Sequence, residues 1–202
     1  MVFLRKVILS IVLLFIINSC AMAAHQISDF PLGMSKVEAI AKGLVMKDQF
    51  GGLIDIRFGS KEWPTALVFE DEKLVYLMLN GKGNDYVAAA EDGLWQLGWL
   101  AVYATTDNNL TFDAVNLAAS GMDEMAIGEE YEKFHQIMQS QKYANCASMY
   151  ISDRVWSTIK QLKAEKPADK YPDAAICNVT IKNNEALIIF STFGYIKKMN
   201  RE

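Results

Sequence analysis

The sequence predicts an α+β fold in which antiparallel strands are covered by helices, and three observations lead there. Apolar residues recur at helical spacing in several separate stretches, and apolar runs of strand length lie between them. The two kinds of segment interleave without a regular β-α-β period. Beyond an amino-terminal leader, residues 24–202 read as a single domain of this class, or as two similar halves, 24–110 and 111–202.

The first element is the leader. Arg5 and Lys6 precede an apolar run from Val7 to Ile17, followed by Asn18, Ser19 and small residues. That run is too short to cross a bilayer, which takes ~20 residues, and it has the form of a secretory signal peptide. Two processing routes are open. Ala21-Met22-Ala23 fits small-x-small cleavage, which removes residues 1–23 and releases Ala24 or His25. Ile17-Asn18-Ser19-Cys20 is similar to a bacterial lipobox, which would remove residues 1–19 and leave Cys20 as the lipidated first residue. Either route places the protein in the periplasm, outside the cell or lipid-anchored in the envelope.

In the mature chain Ser35 and Glu38 form an S-x-x-E capping box that starts a helix over about Lys36 to Lys42. Val37, Ile40 and Leu44 share its apolar face, and Gly43 stops it. Leu53 to Phe58 alternates as a strand. Thr65 to Phe69 and Leu74 to Leu79 form a hairpin of apolar strands joined by Glu70-Asp71-Glu72-Lys73. Asn84 or Asp85 caps a helix with Tyr86, Ala90, Leu94 and Leu97 on one side, ending at Gly98, and Trp99 to Ala104 returns as a strand.

A short helix around Asp113 to Ala119 follows, then a longer one over about Glu129 to Gln141, with acidic residues at the positive end of its dipole. Ala147 to Ile151 alternates as a strand and leads into a helix lined by Val155, Ile159 and Leu162. Two strands, Ala175 to Ile181 and Ala186 to Phe193, close the chain around an Asn183-Asn184 turn. The step Phe30-Pro31-Leu32-Gly33 before the first helix is echoed by Met125-Ala126-Ile127-Gly128 before the long one, a faint sign of repetition.

Composition excludes some functions. Lys and Arg total 20 against 24 Asp and Glu, a net charge of −4 that becomes −6 without the two leader cations. A mildly acidic chain with no basic block is a poor nucleic-acid binder. Cys146 and Cys177 form an even pair in an exported chain and read as a disulfide, worth about 3.5 kcal/mol in the chain-entropy model. A redox or metal pair is the alternative, but the spacing is far from C-x-x-C and no histidine cluster accompanies it.

No cofactor, metal site or catalytic set emerges. His25 stands at the mature terminus and His135 sits beside the apolar face of the long helix, too few for a histidine metal site or a Cys-His nucleophile. Gly81-Lys82-Gly83 is shorter than any phosphate-binding motif and reads as a flexible connector. Carboxylates are numerous and a glycosidase-like pair could converge in space, but nothing singles one out. Trp63 and Pro64 are the candidate partner-contact residues, because they lie in what reads as a connection, Gly59 to Pro64, between two strands.

Over Phe30 to Leu79 the order of elements resembles a known kind of domain. An apolar residue, then Leu32-Gly33-Met34-Ser35, a short helix and antiparallel strands are similar to the BamE/SmpA outer-membrane assembly lipoproteins and the β-lactamase inhibitor proteins. The resemblance implies a helix-plus-sheet unit that binds other proteins and carries no catalysis. This chain departs from those families after Gly43, where no Gly-x-Pro step or second helix follows. The expectation is an exported bacterial protein that binds another envelope or secreted protein, or a lipoprotein with an assembly or scaffolding role anchored through Cys20. Membrane contact is expected only in the lipidated form, and a hydrolase is a more distant reading.

Overall fold

The computed structural model describes residues 24–141, 145–152 and 167–200. The leader with Cys20, and the helix expected around Val155, Ile159 and Leu162, lie outside the described residues.

A 3-10 turn at Ile27–Asp29 leads to α1 (Lys36–Ala41), followed by β1 (Val45–Met46), β2 (Gly51–Phe58), β3 (Lys61–Glu70) and β4 (Lys73–Lys82). Next come α2 (Asn84–Gln96), β5 (Leu100–Thr106), β6 (Thr111–Asp113), α3 (Ala114–Ala119) and α4 (Glu124–Ser140). The chain closes with β7 (Cys146–Ile151), α5 (Pro167–Lys170), β8 (Ala175–Lys182), β9 (Glu185–Thr192) and α6 (Phe193–Met199).

All nine strands join one sheet in the order β1-β2-β3-β4-β9-β8-β7-β5-β6, and each pairing is antiparallel. This corrects the expected α+β class: one large antiparallel sheet with few helices is a mostly β architecture, not strands covered by helices. The difference comes from the centre of the sheet. There β4 pairs with β9 from Lys82↔Glu185 to Tyr76↔Ser191, so strands more than a hundred residues apart join the two groups of strands into one layer.

The two faces of that layer differ. On the inner face Ile56, Trp63, Leu67, Leu77, Leu79 and Ile188 are buried. α2 lies on this side, with its Tyr86 ring against Trp63 at 4.7 Å between centroids. Further along, Tyr131 of α4 packs on Phe112 of β6 at 5.2 Å and meets Tyr150 of β7, hydroxyl to hydroxyl, at 3.3 Å. The outer face carries α6 at one end, where Tyr195 lies 5.9 Å from Tyr76 of β4.

Local chemistry explains the hairpins. Asp71 and Glu72 (φ 48° and 62°) join β3 to β4, and Asn183 and Asn184 (φ 51° and 62°) join β8 to β9. Both are two-residue turns with consecutive left-handed residues, whose twist suits antiparallel strands. The β2–β3 connection is equally short: Gly59 and Ser60 alone make it, and Trp63 and Pro64 belong to β3.

Two helix readings change. In α1 the capping box forms, with Ser35 Oγ accepting from the Glu38 N–H at 3.2 Å and the Glu38 carboxylate accepting from the Ser35 N–H at 3.1 Å. The buried side, however, is Ala39; Val37 is 72% exposed and Ile40 46% exposed. α4 starts five residues earlier than expected, because Asp123 Oδ1 accepts from the Ala126 N–H at 2.9 Å and caps it. Met125 to Gly128 are therefore inside a helix, whereas Phe30 to Gly33 precede one, and the echo between them has no structural counterpart.

Candidate binding surface

Strand register lines up residues of the outer face into a single row across the whole sheet. Val45 pairs with Leu53, Leu53 with Ala66, Ala66 with Met78, and Met78 with Ile189. The row continues through Asn178, Met149, Tyr103 and Asp113. At ~4.8 Å between strands it is roughly 38 Å long. Seven of its nine members are apolar, none is buried, and Val45, Leu53 and Tyr103 are among the most exposed large apolar residues.

The rows on either side differ from it and from each other. Towards α6, Ser191, Ile176 and Ile151 are buried, and Ser191 Oγ donates to the Val75 carbonyl at 3.2 Å. On the other side the row is mixed, holding Asp55, Pro64, Asn80, Leu187, Thr180, Ala147 and Thr105, and beyond it stand the charged residues Arg57, Glu62, Lys82 and Glu185. Lys82 and Glu185 pair across the central seam at 3.1 Å. An apolar strip with a polar, charged margin is the usual anatomy of a protein-binding face.

The residues singled out in the sequence fall in different places. Trp63 is fully buried on the inner face, and its indole N–H donates to the Phe58 carbonyl at 2.9 Å. Its expected role as a partner contact is corrected: a side chain without exposed surface touches no partner. Pro64 is exposed at the margin of the outer face, opposite Asp55, where the ladder to β4 has already ended at Thr65↔Leu79. A proline costs least in a sheet where no strand needs its missing donor.

The expected disulfide is also corrected. Cys146 and Cys177 lie on neighbouring strands, but Cys146 pairs with Ile181 and Cys177 with Tyr150. Four ladder positions separate them, about 13 Å along the strands, whereas a disulfide needs Cα atoms within about 7 Å. Both thiols are buried, and burial pushes the Cys177 thiol well above its ordinary range, away from reactivity.

His25 packs edge-on against Phe30 at 5.6 Å, while His135 stacks on Tyr131 at 5.8 Å, the boundary position read for it. Gly81-Lys82-Gly83 ends β4 and opens onto α2 without forming a loop that could cradle a ligand. Among the described residues no group of three or more His, Cys, Asp or Glu is placed to hold a metal ion, and no helix is long and apolar enough to cross a membrane.

Sequence reasoning missed the row. Its only local signal was the near-continuous apolar character of β3, β4 and β9, which shows that both faces carry apolar residues but not that they align. No family model, curated protein or solved structure matches this chain.

Proposed function

We propose that the protein is an exported bacterial binding module that engages another envelope or secreted protein through the outer face of its sheet. The observation that carries this is the apolar row from Val45 to Tyr103, exposed at Val45, Leu53 and Tyr103 and half-buried between them, on a face whose opposite side forms the core. Partly apolar sheet surfaces with a charged margin suit protein partners, since strands already paired into a sheet need little ordering on binding. Acidic net charge and the secretory leader agree with an extracytoplasmic partner and against nucleic acid.

A photo-crosslinking residue at Met78, expressed in the native host, identifies the partner, and titration of the two purified proteins measures its affinity. Met78→Lys and Ile189→Lys should each weaken that complex at least tenfold while leaving the thermal midpoint nearly unchanged, because both side chains are already partly exposed. Unchanged affinity in both variants would remove the row from the interface.

Ile17-Asn18-Ser19-Cys20 favours a second form of the same reading, a lipid-anchored envelope protein with an assembly or scaffolding role. The mass of the mature amino terminus separates the two. A start at Ala24 or His25 gives the soluble form, and a diacylated Cys20 gives the anchored one.

A further inference from the structure

We propose that Asn109 is an N-glycosylation site, the acceptor of an oligosaccharide delivered outside the cytoplasm on a polyprenyl diphosphate. The site rests on the export half of the reading above and is independent of the binding face. Two tripeptides in the chain have the Asn-x-Thr form that this transfer requires, Asn109-Leu110-Thr111 and Asn178-Val179-Thr180. The fold separates them.

β5 ends at Thr106 and β6 begins at Thr111, so Asn109 stands in the loop of a hairpin. Two backbone bonds hold that loop: the Thr106 N–H donates to the Leu110 carbonyl at 3.0 Å, and the Asn109 N–H donates to the Thr106 carbonyl at 2.9 Å. Asp107, Asn108, Asn109 and Thr111 are all exposed. Among the described residues the Asn109 side-chain amide has no hydrogen-bond partner, and β6 has no strand on its outer edge. Asn109 adopts a φ of 60°, which asparagine tolerates and glycine would serve as well. The turn therefore explains an asparagine here, but not the threonine two places after it. The Thr111 hydroxyl lies 3.5 Å from that of Thr105, a long contact that an enzyme can replace. Asp107, two places before Asn109, adds the acidic side chain that bacterial transferases of this class read by charge pairing.

Asn178 lacks these features. It lies within β8, half-buried, between Met149 of β7 and Ile189 of β9. Presenting it to an enzyme would break ladders on both sides, and the residue two places before it is the buried Ile176.

In the transfer, Nδ2 of Asn109 forms a bond to the anomeric carbon of the glycan. The bond from that carbon to the diphosphate oxygen breaks, the polyprenyl diphosphate leaves with the electron pair, and the amide gives up one proton to a carboxylate of the transferase. Nothing is oxidised or reduced. Thr111 is a positioning residue, its hydroxyl held by the enzyme while the amide reacts.

The test takes the processed protein from its native host and fragments the peptide that spans Asp107–Thr111. The fragments should include sugar ions and a residual sugar on Asn109, with Asn178 bare. Thr111→Val, which keeps a strand-forming residue at an exposed position, should cut occupancy at least tenfold with the thermal midpoint nearly unchanged, whereas Thr111→Ser should keep most of it. Asp107→Ala should also lower it at least tenfold. A sugar on Asn108 or Asn178 instead, or occupancy that survives Thr111→Val, would overturn the proposal. So would a bare Asn109 in protein whose leader has been cleaved, and that result leaves both the export reading and the binding face standing. An uncleaved leader removes the export reading, and the site falls with it.

Discussion

At Gly81 a methyl group would stand 2.2 Å from Cδ1 of Tyr86 and 2.9 Å from Cζ3 of Trp63, closer than carbon atoms approach. The glycine is there so that α2 can bring the Tyr86 ring close over β4 and edge-on against Trp63, which packing and not flexibility requires. In the sequence the same residue, between Asn80 and Lys82, looked like part of a flexible connector, because a glycine announces a special need without saying which. Gly81→Ala should destabilise the fold by about 2–3 kcal/mol in urea unfolding, and the loss should shrink in a Tyr86→Ala background, since removing the ring removes most of the clash. Equal losses in both backgrounds would place the strain elsewhere. Glu38 gives a prediction in pH. The Ser35 hydroxyl and then the Ser35 N–H donate to its carboxylate and hold its pKa below the ordinary 4.5. A carboxylate depressed in the folded state adds stability that is present above the unfolded value and lost as pH falls through the folded one. Amide exchange across Lys36–Ala41 should therefore accelerate as pH falls below about 4.5, after correction for intrinsic rates, and Glu38→Gln should flatten that dependence.

Hairpins and caps were legible because each is set by a few adjacent residues: the Asn183-Asn184 turn, the Ser35–Glu38 box, and the limits of α2 between Asn84 and Gly98. Which side an element buries was less so. α1 is six residues long, under two turns, and so short a helix gives periodicity little to work with; its buried side is the single residue Ala39. Trp63 was misplaced for a related reason, since Pro64 next to it suggested a break, yet β3 runs through both because its ladder to β4 has already ended at Thr65↔Leu79 and no bond needs the missing proline donor. Register was invisible. The sequence places Cys177 in a strand and Cys146 just before one; both lie in strands, and those strands are neighbours, but only the pairing of Tyr150 with Cys177 shows the thiols to be out of reach. Reductant should accordingly leave the urea midpoint of the purified mature protein unchanged, where loss of a bridge closing this loop would remove about 3.5 kcal/mol. Thiol labelling of Cys177 in the native state should proceed only at the rate of unfolding, since the group is fully buried. A midpoint lowered by reductant, or rapid labelling of Cys177, would contradict this register.

At the scale of the molecule the decisive contact joins residues more than a hundred positions apart, and no local pattern encodes it. β4 and β9 each carry an inner face that needs a neighbour on both edges: Leu79 of β4 is paired with Thr65 of β3 and Ile188 of β9, and Ile188 is paired in turn with Val179 of β8. The same seam places Met78 beside Ile189 and so makes one row out of two groups of strands. If fold and binding surface both depend on that seam, the strands on either side of it should unfold together. Ile188 is fully buried, and Ile188→Ala should remove about 2–5 kcal/mol, the range for deleting a large aliphatic side chain from a packed core. Hydrogen exchange can then read the two sides separately. Amides of β2 and β3, several strands from the lesion on one side, and those of β7 on the other should lose protection by the same factor. They should also share one urea midpoint, as expected for a single cooperative unit. The opposite outcome is equally readable: if β2 and β3 keep their protection while β7 and β8 lose theirs, strands β1–β4 and strands β5–β9 are separately stable groups that meet at the β4–β9 seam. In that case the apolar row would be only as rigid as their junction, and partner affinity would fall in Ile188→Ala although that side chain faces away from the partner.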